Sequence, residues 1–238
     1  MPEPTTPAPR GLAPLLAFLF ALMAFVSTGI ATHLPSLLQA AGATLAAAVM
    51  VASLVGPAQV LARLLDVGLL RRLSPLLAAR AAALGHPLGA ALLLGLGGAG
   101  AVPFAVLHGL GNGLSTIVRG TLPLVLFGAA GYGARQGWLM LPARVLGALS
   151  PWLFGLALAR WGVGALWLTG ACGTLAFAGM LWLRLPVRQS LILQHISQPM
   201  SPNISPLISP VMAPPISSPI SPSPSPPPSP PPPDWPRS

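Results

Sequence analysis

Between Gly11 and Leu183 the chain holds one acidic residue, Asp66, in a sequence interrupted only by scattered arginines and short Gly/Pro clusters. That scarcity of charge constrains the fold more than any motif. A soluble domain covers its surface with about 25% charged residues. Here 6% are charged and 53% are hydrophobic, too little polar surface to dissolve a folded domain. Lipid is therefore the expected solvent.

Six apolar stretches are each about 20 residues long, enough to cross the roughly 30 Å hydrocarbon core as helices. They are expected at about 12–31, 43–62, 75–95, 101–118, 137–159 and 163–183. The breakers "THLPSLLQAAG", "GLGGAG", "GAAGYGARQG" and "RWGVG" separate them. The last of these is so short that helices five and six are expected as antiparallel neighbours. Arg10 followed by an apolar run has the look of a signal peptide, but a run of about 20 residues exceeds the 7–15 of a signal core. Pro57, Pro87, Pro103, Pro142 and Pro151 fall inside the spans. A helix bundle tolerates them because neighbours satisfy the freed carbonyls.

Arginine placement sets the expected orientation. With the N-terminus inside, the inner flanks hold Arg10, Arg63, Arg71, Arg72, Arg119, Arg135, Arg184 and Arg188, and the outer loops hold only Arg160. Both termini are then cytoplasmic, in the plasma (inner) membrane of a bacterium. A GC-rich bacterial genome fits a chain with no lysine and abundant Ala, Gly, Pro and Arg. The net charge of +9 is not a nucleic-acid footprint, because the arginines are scattered rather than gathered on one face. Cys172 has no partner for an internal disulfide and reads as a small packing residue. The sequence implies no cofactor and no metal.

The domain organisation follows: a tail over 1–11, a six-helix transmembrane domain over 12–185, and a Pro/Ser-rich tail over 186–238. From Pro199 onward there are 17 prolines, with "ISP" repeated before "SPSPSPPPSPPPP". Such a segment buries too little apolar surface to fold and is expected to be disordered.

The one acid stands in "VGPAQVLARLLDVGLLRR", positions 55–72, at the inner end of the second span. "ARLLDVGLLRR" resembles the loop motif G-x-x-x-D-[RK]-x-G-R-[RK] of the major facilitator superfamily. Ala62 takes the small-residue position, Asp66 the acid, Gly68 stands near the glycine, and Arg71–Arg72 form the basic pair. Ala replaces Gly, no basic residue follows Asp66, and the glycine is displaced by one. "HGLGNGLSTIVRGTLPLVLFGAAGYGARQG" looks like the fourth helix and following loop of the C-terminal half. The resemblance covers roughly residues 11–185. It implies an all-α membrane protein with one six-helix half of a secondary transporter that moves a small solute by alternating access. A full path needs a second six-helix half or a homodimer. "MPEPTTPAPR" reads like the end of an inter-half linker, so a C-terminal fragment is expected; an inactive half or a non-transporting membrane subunit are the alternatives.

The resemblance also implies site residues. The motif acid caps helix five and pairs with arginine to latch the cytoplasmic gate, so Arg63, Asp66, Arg71, Arg72, Arg135 and Arg144 are gate candidates. The first and fourth helices line the path. Ser27, Thr28 and Thr32 on the first, and His108, Asn112, Ser115 and Thr116 on the fourth, are path candidates. His108, Asn112, Thr116 and Arg119 recur at helical spacing, so they share one face; interhelical hydrogen bonding is the other use of such a row. Arg144, about two turns into helix five, needs an anion: Asp66, a lipid phosphate or substrate. Arg80 is expected to snorkel to the cytoplasmic interface, and His33 to sit at the outer interface. "HGLGN" shares H-x-x-x-N with rhomboid proteases, but G-x-S-G and a later histidine base within the spans are missing, so an enzyme is not expected.

Overall fold

The structure, a computed structural model, describes residues 11–68 and 75–183. Arg71 and Arg72 of the loop motif, and the Pro/Ser-rich tail, lie outside the described residues. Among the described residues seven α-helices follow one another: α1 (Leu12–Ala40), α2 (Leu45–Ser53), α3 (Val55–Gly68), α4 (Pro75–Leu96), α5 (Ala101–Phe127), α6 (Tyr132–Trp161) and α7 (Leu166–Trp182). Short 3-10 turns, Gly97–Gly100 and Gly162–Ala165, link α4 to α5 and α6 to α7. There is no strand among the described residues.

Local chemistry sets these boundaries. Thr44 caps α2, its hydroxyl accepting from the Ala47 N–H at 3.2 Å. The break at Leu54 follows from Pro57, which has no N–H for the Ser53 carbonyl four residues back. The α5–α6 turn uses Gly128 and Gly131 at φ 76° and 64°, a backbone that side-chain-bearing residues rarely adopt.

Among the described residues four helical segments are long and apolar enough to cross a membrane: Leu12–Ala40, Leu45–Asp66, Pro75–Phe127 and Tyr132–Trp182. The outside of the bundle is apolar. Leu64, Leu96, Leu156 and the indoles Trp138, Trp152, Trp161, Trp167 and Trp182 all stand exposed. A contiguous apolar exterior of this kind marks a membrane protein.

Helices run further than hydropathy alone indicates. α1 continues through Pro35 to Ala40 rather than ending near Ala31. α6 begins at Tyr132 rather than Gly137, and α5 reaches Phe127. Polar residues therefore join helices where their backbone bonds continue. Arg119, counted above as an inner flank, lies eight residues inside the end of α5. His33 lies seven residues before the end of α1 and donates from Nε2 to the Pro151 carbonyl of α6 at 2.8 Å.

Contacts at glycines fix the relative directions. Gly85 approaches Leu107 and Gly111, and Gly89 approaches Phe104, so α4 and α5 are antiparallel. Gly109 meets Val55 and Ala58 while Gly113 meets Gln59 and Ala62, so α3 and α5 are parallel. Gly29 meets Ser150 and Gly147 meets Thr28, so α1 and α6 are parallel. Gly170 meets Ala90 and Gly173 meets Pro87, so α7 runs against α4. Despite the short turn between them, α6 and α7 are not each other's main partners; α6 packs on α1, and α7 packs on α4 and α1.

The buried apolar side chains form two groups. One contains Leu16, Phe20, Leu76, Leu122, Leu139 and Met180. The other contains Ile30, Leu37, Leu93, Phe104, Phe154 and Leu166. His86, His108, Asn112 and Ser150 fall in chain position between the two groups on their helices, Ser27 lies just inside the second group's part of α1, and Cys172 packs against both.

Candidate functional site

The polar layer is tied together across helices. Ser27 of α1 donates to Oδ1 of Asn112 on α5. Ser150 of α6 donates to the Phe25 carbonyl of α1. His86 of α4 faces His108 of α5 with ring centroids 5.3 Å apart, and His108 stacks on Phe104 at 6.2 Å. All four ring nitrogens of this pair are buried without a hydrogen-bond partner.

Beside this layer a cavity of about 530 Å³ opens between α1, α5 and α6. Thr28 of α1, Thr116 and Arg119 of α5, and Arg144 of α6 supply its polar lining. Ala24, Met140, Ala143 and Gly147 supply the apolar part. Small residues make the room: a Cβ at Gly147 would stand 3.5 Å from the Thr28 hydroxyl. Among the described residues, the lining contains two arginines and no carboxylate.

Arg119 is held by its backbone. Pro123 lies four residues later and has no N–H, so the Arg119 carbonyl loses its helical donor. Gln136 of α6 replaces it, donating from Nε2 to that carbonyl at 2.7 Å. Tyr132 adds a bond from its hydroxyl to the Gly120 carbonyl at 2.8 Å. These two bonds stitch the first turns of α6 to α5. The guanidinium stays unspent, with Nε and Nη2 buried and without a hydrogen-bond partner. Arg144 sits 12 residues into α6, about 18 Å from its start at 1.5 Å per residue, three turns rather than two. Side chains lean toward the N-terminus of their helix. On antiparallel α5 and α6, that lean brings Arg119 and Arg144 toward each other's level.

The path candidates divide. Thr28 and Thr116 line the cavity; Ser27 and Asn112 bond to each other next to it. Thr32 is exposed and donates to the Thr28 carbonyl at 2.9 Å. Ser115 is buried and donates to the Gly111 carbonyl at 2.7 Å, and His108 turns to His86 instead of the cavity. The gate candidates divide too. Asp66 lies partly buried on the last turn of α3, with Arg63 exposed one turn earlier. Arg135 donates to the carbonyls of Phe127, Gly128 and Ala130 at 2.9–3.3 Å and covers the Phe127 ring at 5.3 Å. It therefore caps the C-terminus of α5. Arg144 belongs to the cavity. Arg80 caps α7 in the same manner as Arg135 caps α5, donating to the carbonyls of Met180, Leu181 and Leu183 at 3.1–3.3 Å.

Sequence reasoning missed Tyr132, Gln136 and Met140. A signal for Gln136 was present: a proline four residues after Arg119 frees a carbonyl that some donor must take. Among the described residues, no three His, Cys, Asp or Glu side chains gather where they could hold a metal. Comparison of the sequence with family models and with curated proteins finds no match in either.

Proposed function

We propose that the chain is a six-helix half of a secondary transporter in the bacterial inner membrane, moving a small solute by alternating access. Six crossings follow from length. As single rods, the 53 residues of Pro75–Phe127 and the 51 of Tyr132–Trp182 would measure roughly 75–80 Å, more than twice the hydrocarbon core. Each folds back at its 3-10 turn instead. Trp161 and Trp167 flank one such turn, a position where indoles anchor at the lipid–water interface. Both termini then lie on the cytoplasmic side, as the arginine asymmetry requires. With Arg119 removed from the inner count, seven arginines still oppose one.

The observation that carries transport is the cavity: two guanidiniums and two hydroxyls open between helices of a bundle whose outside is apolar. Ionisable groups at membrane depth are costly and mark solute pathways by default. The first and fourth crossings, α1 and α5, contribute to it, as the resemblance to the major facilitator superfamily implies. A second six-helix half or a second copy closes its open side, and Asp66 serves as a gate residue at the cytoplasmic end of α3.

Cells expressing the chain from its own gene are compared with a deletion strain for uptake of organic acids, amino acids and sugars. Deletion is expected to abolish uptake of at least one solute. Thr116→Trp, which fills the cavity, should abolish the same uptake, and Asp66→Asn should change its rate. If deletion alters no uptake, or Thr116→Trp leaves it intact, the transport reading fails and a scaffold role takes its place.

A further inference from the structure

We infer that the cavity between α1, α5 and α6 binds an oxyanion group, a carboxylate or phosphate, carried on a small apolar body. The inference rests on the transport reading only in calling this anion the solute. Two arginines share one lining, with no carboxylate on it among the described residues. Arg119 lines the cavity, and its Nε and Nη2, buried beside it, have no hydrogen-bond partner, so a turn of the guanidinium toward the cavity brings them to a ligand. Unmade hydrogen bonds on a part-buried guanidinium are costly, and the exposed Arg144 adds a second positive charge to the same lining. A bound anion satisfies the first and neutralises the second. The planar fork of guanidinium donors matches the oxygen pairs of carboxylate and phosphate. Thr28 adds a hydroxyl, whereas the Thr116 hydroxyl is already donated to the Gly113 carbonyl at 2.7 Å and can only accept.

Size sets the rest of the ligand. A cavity of about 530 Å³ is far larger than an inorganic ion and lies within the range of small-molecule sites. Its remaining wall is apolar, with Ala24, Met140 and Ala143 facing it. An anion with a hydrocarbon or aromatic body fills it better than a hydrated ion. The same chemistry is available from two sources: a soluble organic anion or the headgroup of an anionic phospholipid.

The full chain, purified in a nonionic detergent, is unfolded by heat with benzoate, neutral benzyl alcohol or inorganic phosphate, at constant ionic strength. Benzoate is expected to raise the midpoint by several degrees through preferential binding to the native state, with phosphate weaker and benzyl alcohol silent. Arg144→Gln, at an exposed side chain, and Arg119→Gln should each weaken the benzoate response at least tenfold. Arg144→Gln alone decides if Arg119→Gln does not fold. In parallel, the chain is placed in nanodiscs of phosphatidylcholine with or without phosphatidylglycerol. An Arg144-dependent shift from phosphatidylglycerol, with benzoate silent, supports the oxyanion site and assigns it to a headgroup. If neither probe shifts the midpoint, or the shift survives both substitutions, the inference is overturned. Uptake is scored separately. Benzoate bound in a cell that transports nothing keeps the site and rejects transport. A transported neutral solute that benzoate does not inhibit keeps transport and rejects the anion site.

Discussion

Gln136 stands in for a hydrogen bond that Pro123 cannot make, so the two residues must be read together. Gln136→Ala leaves the Arg119 carbonyl without its donor, which costs about 1–3 kcal/mol for a buried group. Thermal unfolding in detergent should show the corresponding drop. In a Pro123→Ala background the helix supplies its own N–H, and the same substitution should then cost less than half as much, a coupling that a double-mutant cycle measures. Equal losses in both backgrounds would mean that Gln136 does not act through that carbonyl. The histidine pair is harder to read from sequence. His86 beside Pro87 gave no hint of a partner 22 residues away, because the pairing depends on the register of α4 against α5.

Glycines mark where helices touch and where they do not. A Cβ on Gly109 would stand 2.6 Å from the Ala58 Cβ and 2.8 Å from the Val55 carbonyl oxygen. One on Gly113 would stand 2.7 Å from both the Ala62 Cβ and the Gln59 carbonyl oxygen. Alanine at either position should destabilise by about 1–3 kcal/mol or more, because backbone has to move. Gly137 has nothing within 4 Å of such a Cβ, and alanine there should stabilise α6 by up to ~1 kcal/mol through helix propensity. Thermal midpoints of the three variants give the comparison; a loss at Gly137 matching that at Gly113 would refute the assigned seam. The small residues of "GLGNG" on α5 permit close contact, but their order along the chain does not say which helix they meet. Arginines read only for topology do not reveal in sequence that Arg80 and Arg135 cap helix ends, where a cation meets the last unpaired carbonyls.

For the protein as a whole, hydropathy made the helical, lipid-facing architecture legible, while helix ends escaped it because polar residues such as His33, Arg135 and Gln136 continue the backbone ladder. The cavity escaped for a related reason: it draws on three helices, and a linear row such as His108, Asn112, Thr116 and Arg119 divides among several neighbours. Reporter fusions after Gly97 should score periplasmic and those after Ala130 cytoplasmic; the reverse result at either site would break the six-crossing topology. The parallel pairing of α1 with α6 also sets a timetable for biogenesis. Gly147 follows Thr28 by 119 residues, so at ~5–20 residues per second the ribosome takes about 6–24 s to deliver the partner of the first helix. α1 is thus made well before the helix that covers it. Its Thr28 and His33 must spend that interval against lipid or inside the insertion machinery, and a photo-crosslinker on this face should capture an insertase on stalled chains ending before α6.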